Sequence, residues 1–358
     1  MDKSINIKAL LNRIRTSEGN KFECDEKAIF EEHDTLRVNK SSLPIKVLTI
    51  FGGFLATLAF LGFLLITGLY ESEIALITFG IGFIISAILL NRISDKLILD
   101  TFSISMYIIG FILLSFGLSE LRVENNIISI LICLIALSSL FITQNFILSF
   151  ISILAVSGSF LYLILNNDSY DLIHLYIAIY TLILTYLILN EAKIISFNKT
   201  LSQLYNPLRI GLVISLLFGL ITLGKRNLIP ISENYIWVSS IVMIAVTLYL
   251  VSIILKINNI DTDKSKVLIY TLSIIILAST IFSPSILGAL VIILLCFMIN
   301  YKTGLAIGII SLIYFISQYY YDLSYTLLTK SMILFVSGVL FLKLYFLTTK
   351  HISAHEKI

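Results

Sequence analysis

Residues 127–165 read IISILICLIALSSLFITQNFILSFISILAVSGSFLYLIL. Two apolar runs, 127–143 and 146–165, meet at a short polar break, and neither run holds a charged side chain. Crossing about 30 Å of hydrocarbon takes roughly twenty helical residues. Lipid offers no partner to an open backbone, so such runs must be helical. The pattern continues in both directions. From Lys46 onward, hydropathy gives spans at 47–70, 74–91, 100–118, 127–143, 146–165, 170–190, 210–224, 235–255, 267–282, 285–299, 303–318 and 325–347. The prediction is an all-α polytopic transmembrane helix bundle of about 12 spans. Spans nine to eleven are short, and a re-entrant pair there would reduce the number to ten. The four prolines (Pro44, Pro207, Pro230, Pro284) fall outside these spans, as expected of a residue that removes a helix hydrogen bond.

Composition points the same way. Hydrophobic residues make up 58% of the 358 and charged residues 13%, against roughly 45–50% and about 25% in soluble domains. The mean hydropathy is +0.98. Surface grows too fast with size for a soluble fold to bury this much apolar area.

Charge placement sets the orientation, because cytoplasmic loops collect lysine and arginine. With the N-terminus inside, 21 of the 25 basic residues fall in inner segments. Arg122, Lys225 and Arg226 fall outside, and Lys330 lies at the outer end of the last span. The outer turns are acidic: Glu71, Glu73, Glu120, Glu124, Asp168, Asp171, Glu233 and Asp322. Both termini are therefore expected in the cytoplasm.

The expected organisation is a cytoplasmic tail at 1–44 with one or two small helices, a bundle at 45–348, and a cytoplasmic tail at 349–358. Asp25 is placed to cap the second small helix. The first apolar run begins too late for a cleavable signal and is expected to act as an uncleaved anchor. In the loop 191–209, Ile194, Phe197, Leu201 and Leu204 recur at helical spacing beside Lys193 and Lys199. That pattern predicts an amphipathic helix lying in the cytoplasmic interface.

Polar groups placed where lipid makes them costly are the candidate functional residues. The cluster Tyr320, Tyr321, Asp322 and Lys330 runs from the last outer loop into the last span. Lys330 either marks an outward-facing polar pocket or snorkels to the outer headgroups, with the tyrosines as an aromatic belt. His174, near the outer end of span six, either relays protons with Lys330 or an acid, or bonds a neighbouring helix. His351 and His355 are four apart, but two ligands make a weak metal site. Cys24, Cys133 and Cys296 show no paired spacing, so neither a disulfide framework nor zinc is indicated. No catalytic or cofactor motif is present, and no enzyme activity, metal or cofactor is expected. The basic residues are spread over inner loops, so nucleic acid is not expected as a partner. Gly52, Gly53, Gly80, Gly82 and Gly211 permit close helix contact.

The signature YYYDLSYTLLTKS (319–331), followed by Gly338, resembles the closing segment of a bacterial membrane family, domain of unknown function 4401. FGGFLATLAFLGFL (51–64) is similar to that family's opening helix. NRISDKLILDTFSISMYIIGFILLSFG (91–117) is similar to its second loop and third span. The resemblance implies a multi-pass protein of the bacterial inner membrane. Members are often encoded beside other membrane proteins, which implies partners in a complex besides the lipid bilayer. The scarcity of intramembrane charge, the compact loops and the small soluble tail favour a membrane scaffold or assembly subunit. The alternative is a permease for a small or lipid-like substrate, using a pocket near Asp322 and Lys330.

Overall fold

The computed structural model describes residues 71–93, 97–143, 145–225, 230–232, 235–258, 263–281 and 283–322, with scattered positions in 11–30, 52–68 and 326–343. Lys330, His351 and His355 lie outside the described residues, as do most of the spans expected at 47–70 and 325–347 and most of the 1–44 tail.

The chain divides into two compact units, Met1–Phe60 and Leu61–Ile358. In the first, the Asp25 carbonyl accepts from the Ile29 N–H at 3.1 Å, opening a helical turn where the sequence places the start of one. Arg15 Nη2 lies 2.7 Å from Glu26 Oε1.

In the second unit the described helices run in order: α1 (Glu73–Ile93), α2 (Leu97–Glu120), α3 (Asn125–Ile142), α4 (Phe146–Asn166), α5 (Leu172–Leu189), α6 (Glu191–Phe197), α7 (Lys199–Gly224), α8 (Ile236–Ile257), α9 (Asp263–Ser279), α10 (Pro284–Met298) and α11 (Lys302–Asp322). Eight are long and apolar enough to cross a membrane; Lys266–Ala278 and Pro284–Met298 are apolar but shorter. The all-helical, membrane-embedded reading of the sequence therefore holds.

Local chemistry fixes the helix ends. The Asn145 side chain accepts from the N–H groups of Ile147 and Leu148 and so opens α4. Three tight turns use a left-handed residue that is not glycine: Arg122 (φ 57°), Asp168 (φ 52°) and Asn300 (φ 53°). Each is followed by an N–H that reaches back over the last helical turn, Val123 to Leu118, Ser169 to Ile164 and Tyr301 to Cys296. This is the Schellman closure, which favours glycine and tolerates Asn or Asp.

Three expectations need correction. The stretch 191–209 is not one amphipathic helix. The chain breaks at Asn198 (φ −157°, ψ 147°), whose side chain accepts the Thr200 N–H and starts α7 there. Phe197 is consequently 80% exposed while Leu204 is buried, so the two do not share a face. Pro207 lies inside α7, not outside it. Helix α7 has 26 residues, about 39 Å, and its first turns extend past the apolar run. Gly82 and Gly52, expected at close contacts, have open space around them. Gly80 does make one: a Cβ there would come within 2.7 Å of the Leu114 backbone nitrogen. Glycine lets α1 and α2 cross backbone to backbone.

Two cores result. The larger is built mainly from α5, α7, α8 and α10, with Leu277 of α9 and Phe315 of α11. The smaller joins α1, α2 and α4 through Ile84, Tyr107, Leu114 and Leu148. Opposite faces of the same helices expose leucine and isoleucine; on α5 these are Leu172, Leu175, Ile179, Leu182 and Ile183. In water such a stripe is costly, and lipid is the solvent that accepts it.

Candidate functional site

Helix α10 orients the site. Near its start, Ser285 Oγ donates to the Leu220 carbonyl at 2.9 Å. Near its other end, Cys296 is fully buried and Tyr301 begins the turn into α11. It thus runs antiparallel to α7, between the level of Leu220 and that of Arg209. We call the Arg209 level the basic end and the Leu220 level the acidic end.

At the basic end, α7 carries Arg209 two residues after Pro207. Its Nη2 donates to Asn206 Oδ1 at 2.9 Å, and Nη1 lies 3.6 Å from Glu191 Oε1 on α6. The guanidinium carbon sits 3.8 Å from the Tyr301 ring centroid and 5.2 Å from that of Tyr205. The arginine side chain is 14% exposed and that of Glu191 35%. A cation over two aromatic rings in a half-dry site is held by their quadrupoles as well as by the carboxylate. Gly304 makes room for this arrangement: a Cβ there would collide with the Tyr301 ring and fall 2.5 Å from Cys296 Sγ. Burial pushes the Tyr301 phenol up, and the Arg209 charge opposes this only in part. The ring therefore remains a neutral phenol at physiological pH. One side chain ties α6, α7 and the α10–α11 turn together.

At the acidic end the ties are neutral hydroxyls and one carboxylate. Asp171 Oδ1 accepts from the Ser232 N–H at 3.1 Å and the Ser232 hydroxyl at 2.8 Å, fastening the α7–α8 connection to the start of α5. Ser240 Oγ donates to the Ile281 carbonyl at 2.6 Å. His174, 1% exposed, has Nδ1 3.0 Å from Ser239 Oγ on α8. Ser239 Oγ in turn lies 3.3 Å from the Ile236 carbonyl. His174 Nε2 is buried and has no partner among the described residues.

Between the ends lie two hydroxyl clusters. Tyr107 OH is 2.5 Å from Ser139 Oγ and 2.7 Å from Ser152 Oγ, joining α2, α3 and α4. Tyr180 OH donates to Ser157 Oγ at 2.9 Å, and Ser215 Oγ donates to the same atom at 2.7 Å, joining α4, α5 and α7. Tyr176 stacks on Tyr180 at 4.2 Å and donates to the Ser215 carbonyl. These groups meet one another's hydrogen-bonding demand, as a lipid-embedded interior requires.

The chain matches the family described as domain of unknown function (DUF4401) over residues 42–351. It belongs to that family. The DUF4401 match covers the middle spans as well as both ends, so Arg209, His174 and both hydroxyl clusters lie within it. No curated protein and no solved structure matches the chain.

Of the residues singled out from sequence, Tyr320, Tyr321 and Asp322 close α11, His174 lies on α5, and Lys330 lies outside the described residues. Both oxygens of Asp322 accept from Gln318 Nε2 at 3.1 Å, one turn back on the same helix. Tyr321 is 76% exposed, and its ring meets that of Tyr320 edge-on at 5.7 Å. His174 bonds to Ser239 on the neighbouring helix α8. On sequence alone Arg209 is one more positive charge in an inner loop, with its ring partners out of view. A signal is nonetheless present: Tyr205 and Arg209 are four residues apart, on one helical face, around a proline.

Among the described residues no group of three or more His, Cys, Asp or Glu side chains converges to hold a metal.

Proposed function

We propose that this DUF4401 protein is a non-enzymatic scaffold or assembly subunit of the bacterial inner membrane, with both termini in the cytoplasm. The supporting observation is a solid core fastened at both ends. The hydroxyls of its two clusters are engaged with one another, and its outer helices present broad apolar faces to lipid or to another membrane protein. In this reading the basic end is cytoplasmic, following the lysine and arginine bias. Helices α9 and α10 are taken as two crossings, which favours twelve spans over ten. The support is that α10 is antiparallel to α7 and that Ile281, after α9, meets Ser240 at the acidic end. Helix α10 has 15 residues, about 22 Å, short for lipid but adequate for a helix surrounded by protein.

Reporter fusions after residues 71, 168 and 358 test the orientation. The first two are expected outside and the last inside; an external reporter at 358 overturns the topology. Native mass analysis of the full chain in lipid-preserving particles tests the role, and a scaffold should carry a second membrane protein at fixed stoichiometry.

A permease for a small or lipid-like substrate is the second reading, favoured by the buried, unpaired nitrogen of His174. If the chain is found alone, and Lys330→Met abolishes a cellular phenotype at normal membrane expression, the permease reading replaces the scaffold.

A further inference from the structure

The acidic end couples His174 to Asp171, a coupling that the scaffold reading does not use. Ser239 Oγ has a single proton and lies within reach of the Ile236 carbonyl at 3.3 Å. When it donates there, it can only accept at its other contact, so His174 Nδ1 carries the hydrogen toward Ser239. The relay then runs from imidazole to hydroxyl to carbonyl, and Nε2 is left as a bare, buried lone pair. A proton taken up there becomes a donor with no acceptor among the described residues, on a charged ring in a 1% exposed site. Such a state is costly unless a neighbour moves to meet it.

Among the described residues of the elements packed against His174, charged neighbours are few. Asp171 stands one turn before His174 on the same element. Asp168, on the turn from α4, is engaged by the Tyr170 hydroxyl at 2.5 Å. Helix α7 brings Lys225 at its exposed end. Among the described residues, α8 and α10 bring no charged side chain to this level, only Ser239, Ser240 and Ser285. Arg226 and Glu233, in the α7–α8 connection, lie outside the described residues. Asp171 is thus the described carboxylate best placed to answer an imidazolium. It is already committed, because it holds the α7–α8 connection through Ser232.

We infer that His174 is a proton-binding site whose occupancy draws Asp171 away from Ser232 and releases the α7–α8 connection at the acidic end. The trigger and the tie compete for one carboxylate. Imidazole is the side chain whose charge changes closest to neutral pH, so acidification supplies the trigger. This coupling is independent of the scaffold and permease readings, and of which face is outside when both faces share one buffer.

The test uses the full chain in lipid nanodiscs, with the native cysteines replaced and a spin label attached through Pro230→Cys. Pro230 is exposed and two residues from Ser232. Lowering the pH from about 8 to about 5 should increase the mobile fraction of the label at least twofold, along a single titration. His174→Gln should flatten that response. Asp171→Asn should flatten it as well, since an amide oxygen can still hold Ser232 but offers an imidazolium no charge. A label that ignores pH in the parent chain overturns the inference. So does an unchanged response in either variant that remains monodisperse; because the variants are independent, misfolding of one leaves the other decisive.

Discussion

The two ends of the bundle are closed by different chemistry. At the basic end a cation is stacked between Tyr301 and Tyr205 and faces Glu191. At the acidic end, serine hydroxyls meet carbonyls, and one carboxylate holds one connection. Opening the first strands a half-buried charge among aromatic rings; opening the second exchanges neutral hydrogen bonds for water. A buried charge that loses its partner costs several times what a neutral hydrogen bond contributes. The basic end is therefore the fixed end, and the acidic end is the one free to respond.

The sharpest way to break that contrast is Arg209→Ala. It should cost about 2–3 kcal/mol of unfolding free energy, read by steric trapping in bicelles. The double variant Arg209→Met with Glu191→Leu should recover most of the loss. If the single variant costs no more than an acidic-end substitution, the two ends are equivalent and the contrast fails. Next to Leu220 on α7, Gly219→Ala places a Cβ 2.8 Å from the Tyr176 ring. It should cost about 2 kcal/mol by overpacking and weaken the Tyr176–Ser215 bond with it. At the acidic end, Ser285→Ala should cost about 1 kcal/mol, the contribution of one neutral hydrogen bond. The smallest effect is expected at Arg122, in a left-handed turn at φ 57°. Arg122→Gly should be stabilising by up to about 1 kcal/mol, since glycine adopts that conformation freely; a loss there would assign the arginine side chain a role of its own.

Much of this architecture was legible in the sequence because lipid imposes one rule on every span. Runs such as 127–143 and 146–165 agree with α3 and α4 to within two residues at each end. The rule fails where a helix leaves the hydrocarbon. Helix α7 begins at Lys199 rather than near residue 210 because its first turns are stabilised by protein contacts, including buried Leu204, Tyr205 and Pro207. Hydropathy registers neither a cap such as Asn198 nor a proline tolerated within a helix. The ends were legible only in part. His174 stood out as an ionisable residue near a span end. Arg209 did not, because its partner Tyr301 lies far along the chain and only the fold brings them together. The hydroxyl clusters were silent for a similar reason: single serines in apolar runs are common, and their meaning lies in pairing across helices.

The shortness of α10 bears on how the protein is made. Its 15 residues span about 22 Å, too little to rest alone across about 30 Å of hydrocarbon. As the segment leaves the ribosome it needs neighbours already in place. Its seat is formed by α7 and α8, synthesised earlier, and by α11, synthesised later. The chain thus supplies one side of that seat before α10 and the other side directly after it, so the short helix and α11 are expected to settle as a pair.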